Sequence, residues 1–247
     1  MAEAAGWGLF GASSLLIGAL IGLKLPIPTR VIGLILGFGA GTLISAVAFE
    51  LTEEAYDLGG ADAVAIGLAL GALAYFAGDA TIRRRGGERR MSPKRRRDQP
   101  PTQAADAASA LLFGAVLDGI PESAVIGISL LEGGGVGAAV LAAVFISNLP
   151  EAIASSRGMR EERMGTRHVL LTWIVVVLIS GIAAAAGYGL LEGASGNTVA
   201  LLEAFAGGAV LTMLVDTMIP EAQQGGRAAG LATVLGFALA YLLSTLE

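Results

Sequence analysis

The sequence predicts an all-α integral membrane protein of eight transmembrane helices, organised as a single domain over residues 1–247. Three observations predict it. Apolar stretches of bilayer-spanning length recur eight times, every basic residue falls in alternate connections between them, and small residues are abundant. With 54% hydrophobic and 15% charged residues and a mean hydropathy of +0.70, the chain has too little polar surface for a water-soluble domain of this length.

A helix needs about 20 mainly apolar residues to cross the hydrocarbon core. Such stretches lie at 5–25, 30–56, 62–82, 105–131, 135–156, 168–190, 197–221 and 228–246. The first has no basic segment ahead of it, so it is expected to stay as a helix rather than be removed as a signal peptide. Short turns are expected at DLGGAD (57–62) and LEGGG (131–135). The one long break, RRRGGERRMSPKRRRDQPPTQA at 83–104, reads as a hydrophilic basic loop. The 36 glycines and runs such as AAAAG at 183–187 suit helices that approach closely in lipid, where apolar burial gives no drive to associate. Such helices fit a homodimer and a tightly packed monomer equally well. The absence of cysteine excludes disulfides, thiolate metal sites and thiol redox chemistry.

The 16 basic residues fix the orientation. Lys24 and Arg30 lie in the first connection, nine residues from Arg83 to Arg97 in the third, Arg157, Arg160, Arg163 and Arg167 in the fifth, and Arg227 in the seventh. With eight spans these four connections share one side, which the excess of Lys and Arg makes cytoplasmic. A multi-pass cell-membrane protein with both termini outside is expected, its basic loop held near anionic lipid rather than nucleic acid.

Several carboxylates fall inside the apolar spans, where they are costly unless they face a polar interior. The fourth span carries Asp118 and Glu122, four apart on one helical face, with Pro121 beside Glu122. The fifth carries Ser147, Asn148 and Glu151 within about one turn, beside Pro150. Each proline lacks an N–H and loosens the bond to the carbonyl four residues earlier, that of Leu117 and of Ile146. Loosened backbone at membrane depth is tolerated where it faces protein or a water-filled cavity. Carboxylate, small polar side chain and carbonyl together suit a hard or borderline divalent cation. Two further acidic groups, Glu50, Glu53 and Glu54 in the second span and Asp216 and Glu221 in the seventh, are candidates for the transport path on the outer and inner sides.

The second and seventh spans match at a constant offset of 167: Phe38 with Phe205, Gly41 with Gly208, Glu54 with Glu221, Ala55 with Ala222. The fourth and fifth match at offset 29 through Pro121–Glu122 and Pro150–Glu151. Each pair crosses in opposite directions, the mark of inverted repeats with a site at the midplane.

These segments resemble the ZIP family of divalent metal transporters over nearly the whole chain, as a divergent, prokaryotic-type member. The fourth-span motif reads Asp118-Gly119-Ile120-Pro121-Glu122-Ser123 and the fifth Ser147-Asn148-Leu149-Pro150-Glu151. GFGAG…FELTEEA in the second span and GGA…DTMIPEA in the seventh are also similar to family segments. The resemblance implies a ZIP-like transporter fold and a bundle formed by helices one, four, five and six. It also implies a metal centre involving Asp118, Glu122, Ser147, Asn148 and Glu151. The chain departs from the family where Asp118 and Ser147 replace histidines or glutamine, where Gly119 replaces asparagine, and where the sixth span lacks a carboxylate. Zn is the metal the family implies; the oxygen-rich donor set shifts preference toward Mn, Fe(II), Mg or Ca.

The expected function is movement of a divalent cation, as substrate, toward the cytoplasm through the site between the fourth and fifth helices. The alternatives are a non-transporting metal sensor or scaffold on a transporter fold, and a ZIP relative with altered substrate. Enzyme readings fare poorly. Asp57 and Asp79 lie near opposite ends of the third span and cannot share a water as an intramembrane protease requires. The lone histidine, His168, stands at a span boundary and is too few for a zinc hydrolase.

Overall fold

The computed structural model describes residues 1–84, 102–130, 137–161 and 163–245. Most of the expected basic loop, 85–101, and the expected LEGGG turn lie outside the described residues. The loop's two edges do not: helix continues to Arg84 and resumes at Thr102.

Among the described residues the regular structure is all helix, with no strand. Helix α1 (Ala2–Lys24) runs into Leu25-Pro26-Ile27-Pro28, where the prolines supply no N–H and cannot continue it. Pro28, at φ −60 and ψ 140, caps α2 (Thr29–Ala46). A π-helical segment, Val47–Thr52, leads into α3 (Glu53–Arg84). Then come α4 (Thr102–Ser129) and α5 (Ala138–Glu161), which continue through Pro121 and Pro150 respectively, and α6 (Thr166–Leu191). Helix α7 (Gly196–Met213) starts at a Ser195 cap whose hydroxyl accepts from the Thr198 N–H. It passes through a second π segment, Leu214–Met218, into α8 (Ile219–Gln224). The last helix is α9 (Ala229–Ser244).

Among the described residues, four helical stretches are long and apolar enough to cross a membrane: Ala2–Lys24, Thr29–Thr81, Thr166–Leu191 and Gly196–Gln224. The second has 53 residues. A straight helix of that length would extend about 80 Å, against a hydrocarbon core of about 30 Å. It is broken at Gly60, whose φ of 70 and ψ of −176 lie in a region essentially reserved for glycine. The chain reverses there. Val47 before the break and Leu68 after it both flank Gly207 of α7. The turn expected over six residues is thus concentrated in one.

The helices pack as two groups. Helix α1 lies against α5 and α6, and α6 against α4. Helix α2 lies against α9 and α8, and α3 against α7. The groups meet where α2 touches α5 and where α4 touches α7. Glycines make the close crossings. A Cβ on Gly41 would overlap the carbonyl of Thr233 in α9, and a Cβ on Gly208 would overlap that of Leu68 in α3. In the same way Gly236 of α9 abuts the carbonyl of Phe38, and Gly71 of α3 that of Phe205. These two glycine crossings of α2 with α9 therefore have counterparts in α7 with α3. The two π segments begin at Val47 and Leu214, again 167 residues apart. A repeat that rested on four sequence matches is now carried by matched backbone irregularities and matched helix crossings.

The far end of the α1, α5 and α6 group is pinned by polar contacts. Arg157 donates to the carbonyl of Ile27 at 2.5 Å, Arg160 donates to that of Leu23, and the Trp173 indole donates to Ser156 at 2.7 Å. Arg160 thereby satisfies a carbonyl in the last turn of α1 that has no partner within the helix, and Arg157 one in the connection that follows it.

Candidate functional site

The site is built on the proline turns of α4 and α5. The i, i+4 spacing puts Asp118 and Glu122 on one face of α4, and both are buried, Glu122 with only 2% exposure. On α5, Ser147 and Asn148 are buried and Glu151 is half-buried. The Ser147 hydroxyl donates to the carbonyl of Val144 at 3.0 Å, leaving its oxygen lone pairs free to face a cation. Pro150, between Asn148 and Glu151, is fully buried. The charges of Glu151 and Asp118 both act on Glu122, so the carboxylates predicted from the two motifs lie within electrostatic range of one another.

Glycines bring the neighbouring helices to this level. A Cβ on Gly18 of α1 would overlap the Leu149 carbonyl, and one on Gly22 would come within 2.5 Å of the Ile153 carbonyl. Helix α1 therefore presses directly on the Pro150 turn. A Cβ on Gly39 of α2 would fall 2.9 Å from the Ser147 Cα and 3.1 Å from the end of Met218. Ser147 thus sits where α5, α2 and the second π segment converge. On the other side, a Cβ on Gly119 of α4 would lie 3.4 Å from the buried Ser180 hydroxyl of α6.

The electrostatics are demanding. The Oε2 atom of Glu122 is buried and has no hydrogen-bond partner among the described residues. An ionised carboxylate removed from water costs several kcal/mol unless paired, and the two nearest charges named above are also negative. Such a constellation calls for a cation or protons. Among the described residues, no three His, Asp or Glu side chains converge closely enough to hold a metal ion by themselves. Ser147 and Asn148 carry neutral oxygens on the turn of α5 that also bears Glu151.

The path residues are spread as their positions suggest. Glu50 lies in the first π segment, half-buried, with a buried and unpartnered Oε1 among the described residues. Glu53 is exposed and Glu54 half-buried one turn on. Asp216 lies exposed in the second π segment, and Glu221 is half-buried in α8. The π segments give the grouping a physical basis, because such bulges interrupt the regular helix ladder and are frequent at functional sites.

Sequence reasoning gave no site role to four buried polar residues, one of which, Asp79, it weighed only as a protease aspartate and set aside. Tyr75 of α3 donates its hydroxyl to Asp118 Oδ1 at 2.5 Å. Asp79 lies one turn further along the same face of α3 and is also buried. Ser180 stands beside Gly119, as described above. Glu203 of α7 is 1% exposed, one turn from Gly207, which packs against Val47 and Leu51. The available signal was a polar residue inside an apolar span, and the metal site was read only where a proline accompanied it. No family model matches the chain, and no curated protein matches it either.

Proposed function

We propose that the chain is a multi-pass membrane transporter of a divalent metal cation, crossing the bilayer eight times and related to the ZIP family. The observation that carries this reading is the buried Glu122 carboxylate, with an unpartnered oxygen, in the field of Asp118 and Glu151. Asp118, Glu122, Ser147, Asn148 and Glu151 replace part of the cation's water shell at the level of the two proline turns. The eight crossings are those of α1, the two halves of the Thr29–Thr81 stretch, α4, α5, α6, the α7–α8 stretch and α9. The distribution of Lys and Arg sets both termini outside and the basic loop in the cytoplasm. Glu50, Glu53 and Glu54 then draw the cation in from outside, and Asp216 and Glu221 flank its way to the cytoplasm.

The two helix groups supply the motion. The group of α1, α4, α5 and α6 carries all five site residues and rocks against the group of α2, α3, α7 and α9, as inverted-repeat transporters do. Protonation of the carboxylates on the inner side would remove ligand charge and favour release. The oxygen-rich donor set accepts Mn, Fe(II), Mg or Ca alongside the Zn that family resemblance suggests.

Equilibrium titration of purified protein with Zn and Mn tests the binding half of this reading. Saturable binding is expected, weakened at least about tenfold by Glu151→Gln. Wild-type protein that binds neither cation would remove the reading. Binding without flux would favour a sensor or scaffold.

A further inference from the structure

We propose that Tyr75 is a positioning residue for Asp118, and that its place on the opposite helix group couples the relative motion of the groups to cation affinity. The inference rests on the transporter reading above and adds a residue that the α4 and α5 motifs do not contain.

Three observations support it. First, the donor and acceptor are well defined: a phenol hydroxyl donates to Asp118 Oδ1 at 2.5 Å, and both residues are buried. The bond holds the carboxylate in one orientation. Second, the partners belong to different groups. Tyr75 is on α3, which packs on α7, while Asp118 is on α4, which packs on α6. The two helices approach closely here, since a Cβ on Gly78 would lie 3.0 Å from Leu117. Third, Tyr75 differs from the other tyrosines. It is 2% exposed, whereas Tyr56 is 58% and Tyr241 42% exposed and Tyr188 is half-buried. A phenol in an apolar span has no need of that depth for packing alone, where phenylalanine would serve.

Ligating carboxylates are oriented by outer partners, whose removal typically weakens a metal site by about 10–100-fold. With the groups in contact, Tyr75 holds Oδ1 of Asp118 and so fixes the orientation in which the carboxylate meets the cation. When α4 rocks away from α3 the hydroxyl is withdrawn, Asp118 loses its orientation, and affinity falls. Release is thereby tied to movement rather than left to the intrinsic off-rate of a fixed site.

The test is Tyr75→Phe, which deletes one oxygen, with Tyr56→Phe as an exposed control, in cation titration and in proteoliposome uptake. The expected result is a Kd and a KM raised by about 10–100-fold in Tyr75→Phe, with maximal rate retained and Tyr56→Phe unchanged. A folded Tyr75→Phe protein with unchanged KM, or one that loses maximal rate at unchanged KM, overturns the proposal. A second measurement needs no variant. Cation binding to the wild type is expected to perturb tyrosine near-UV absorption, and a saturating titration with no tyrosine signal overturns the proposal even if Tyr75→Phe fails to fold. Failure of the underlying reading is separable, because then the wild type itself binds no cation.

Discussion

Glu122→Gln is expected to abolish cation uptake while leaving the protein folded and, if anything, more stable. The two effects have opposite signs because the residue has two properties. In the proposed reading its charge makes it a ligand, and losing a direct ligand should cost more than the about 10–100-fold that loss of an outer-shell partner costs a metal site. Its burial at 2% exposure, with Oε2 unpartnered among the described residues, makes the same charge a burden on the cation-free protein. Replacing an uncompensated buried charge by a neutral group of the same shape relieves that burden. Uptake assayed in proteoliposomes and thermal unfolding of the purified protein measure the two quantities separately. A Glu122 that served only to hold α4 in place would give the opposite pair of results, with lower stability and residual uptake.

Gly41→Ala and Gly208→Ala are each expected to destabilise the protein by about 1–3 kcal/mol, the usual cost of forcing extra atoms into a packed interface. The added methyl would overlap the Thr233 carbonyl in one case and the Leu68 carbonyl in the other. Backbone carbonyls cannot rotate aside as a flexible side chain can, so the helices must separate. Because the residues occupy equivalent positions in the two repeats, their effects should be similar in size. Gly230→Ala is the control. Nothing lies within 4 Å of a Cβ at that position, and alanine favours helix over glycine by about 1 kcal/mol. Unfolding midpoints for the three variants measure this directly. Equal midpoints for Gly41→Ala and Gly230→Ala would contradict the tight-crossing account.

Much of the helical layout was legible in the sequence because the bilayer dictates it. Residues 168–190 were expected as helix and Thr166–Leu191 is helix; 5–25 was expected and Ala2–Lys24 is observed. In the packing, α1 lies against α5 and α6, and α6 against α4. The proline motifs located the candidate site because buried carboxylates beside helix-disrupting residues are rare in apolar spans. Other features left no local trace. Nothing in VAFELT or LVDTM marks a π segment. Gly60 and Gly59 are adjacent glycines, and only the three-dimensional path decides which takes the positive φ. Tyr75 meets Asp118 across 43 residues that include the basic loop. A long-range pairing of that kind is set by how α3 docks on α4, and single-sequence periodicity is blind to it.

The central claim is that the Glu122 site passes a divalent cation across the bilayer. Flux into proteoliposomes of purified protein, scanning Zn, Mn, Fe(II), Co, Cd, Mg and Ca, measures it most directly. Saturable uptake of at least one of these cations, lost in Glu122→Gln, is the result the account predicts. No flux of any of them from folded, correctly inserted protein would contradict it.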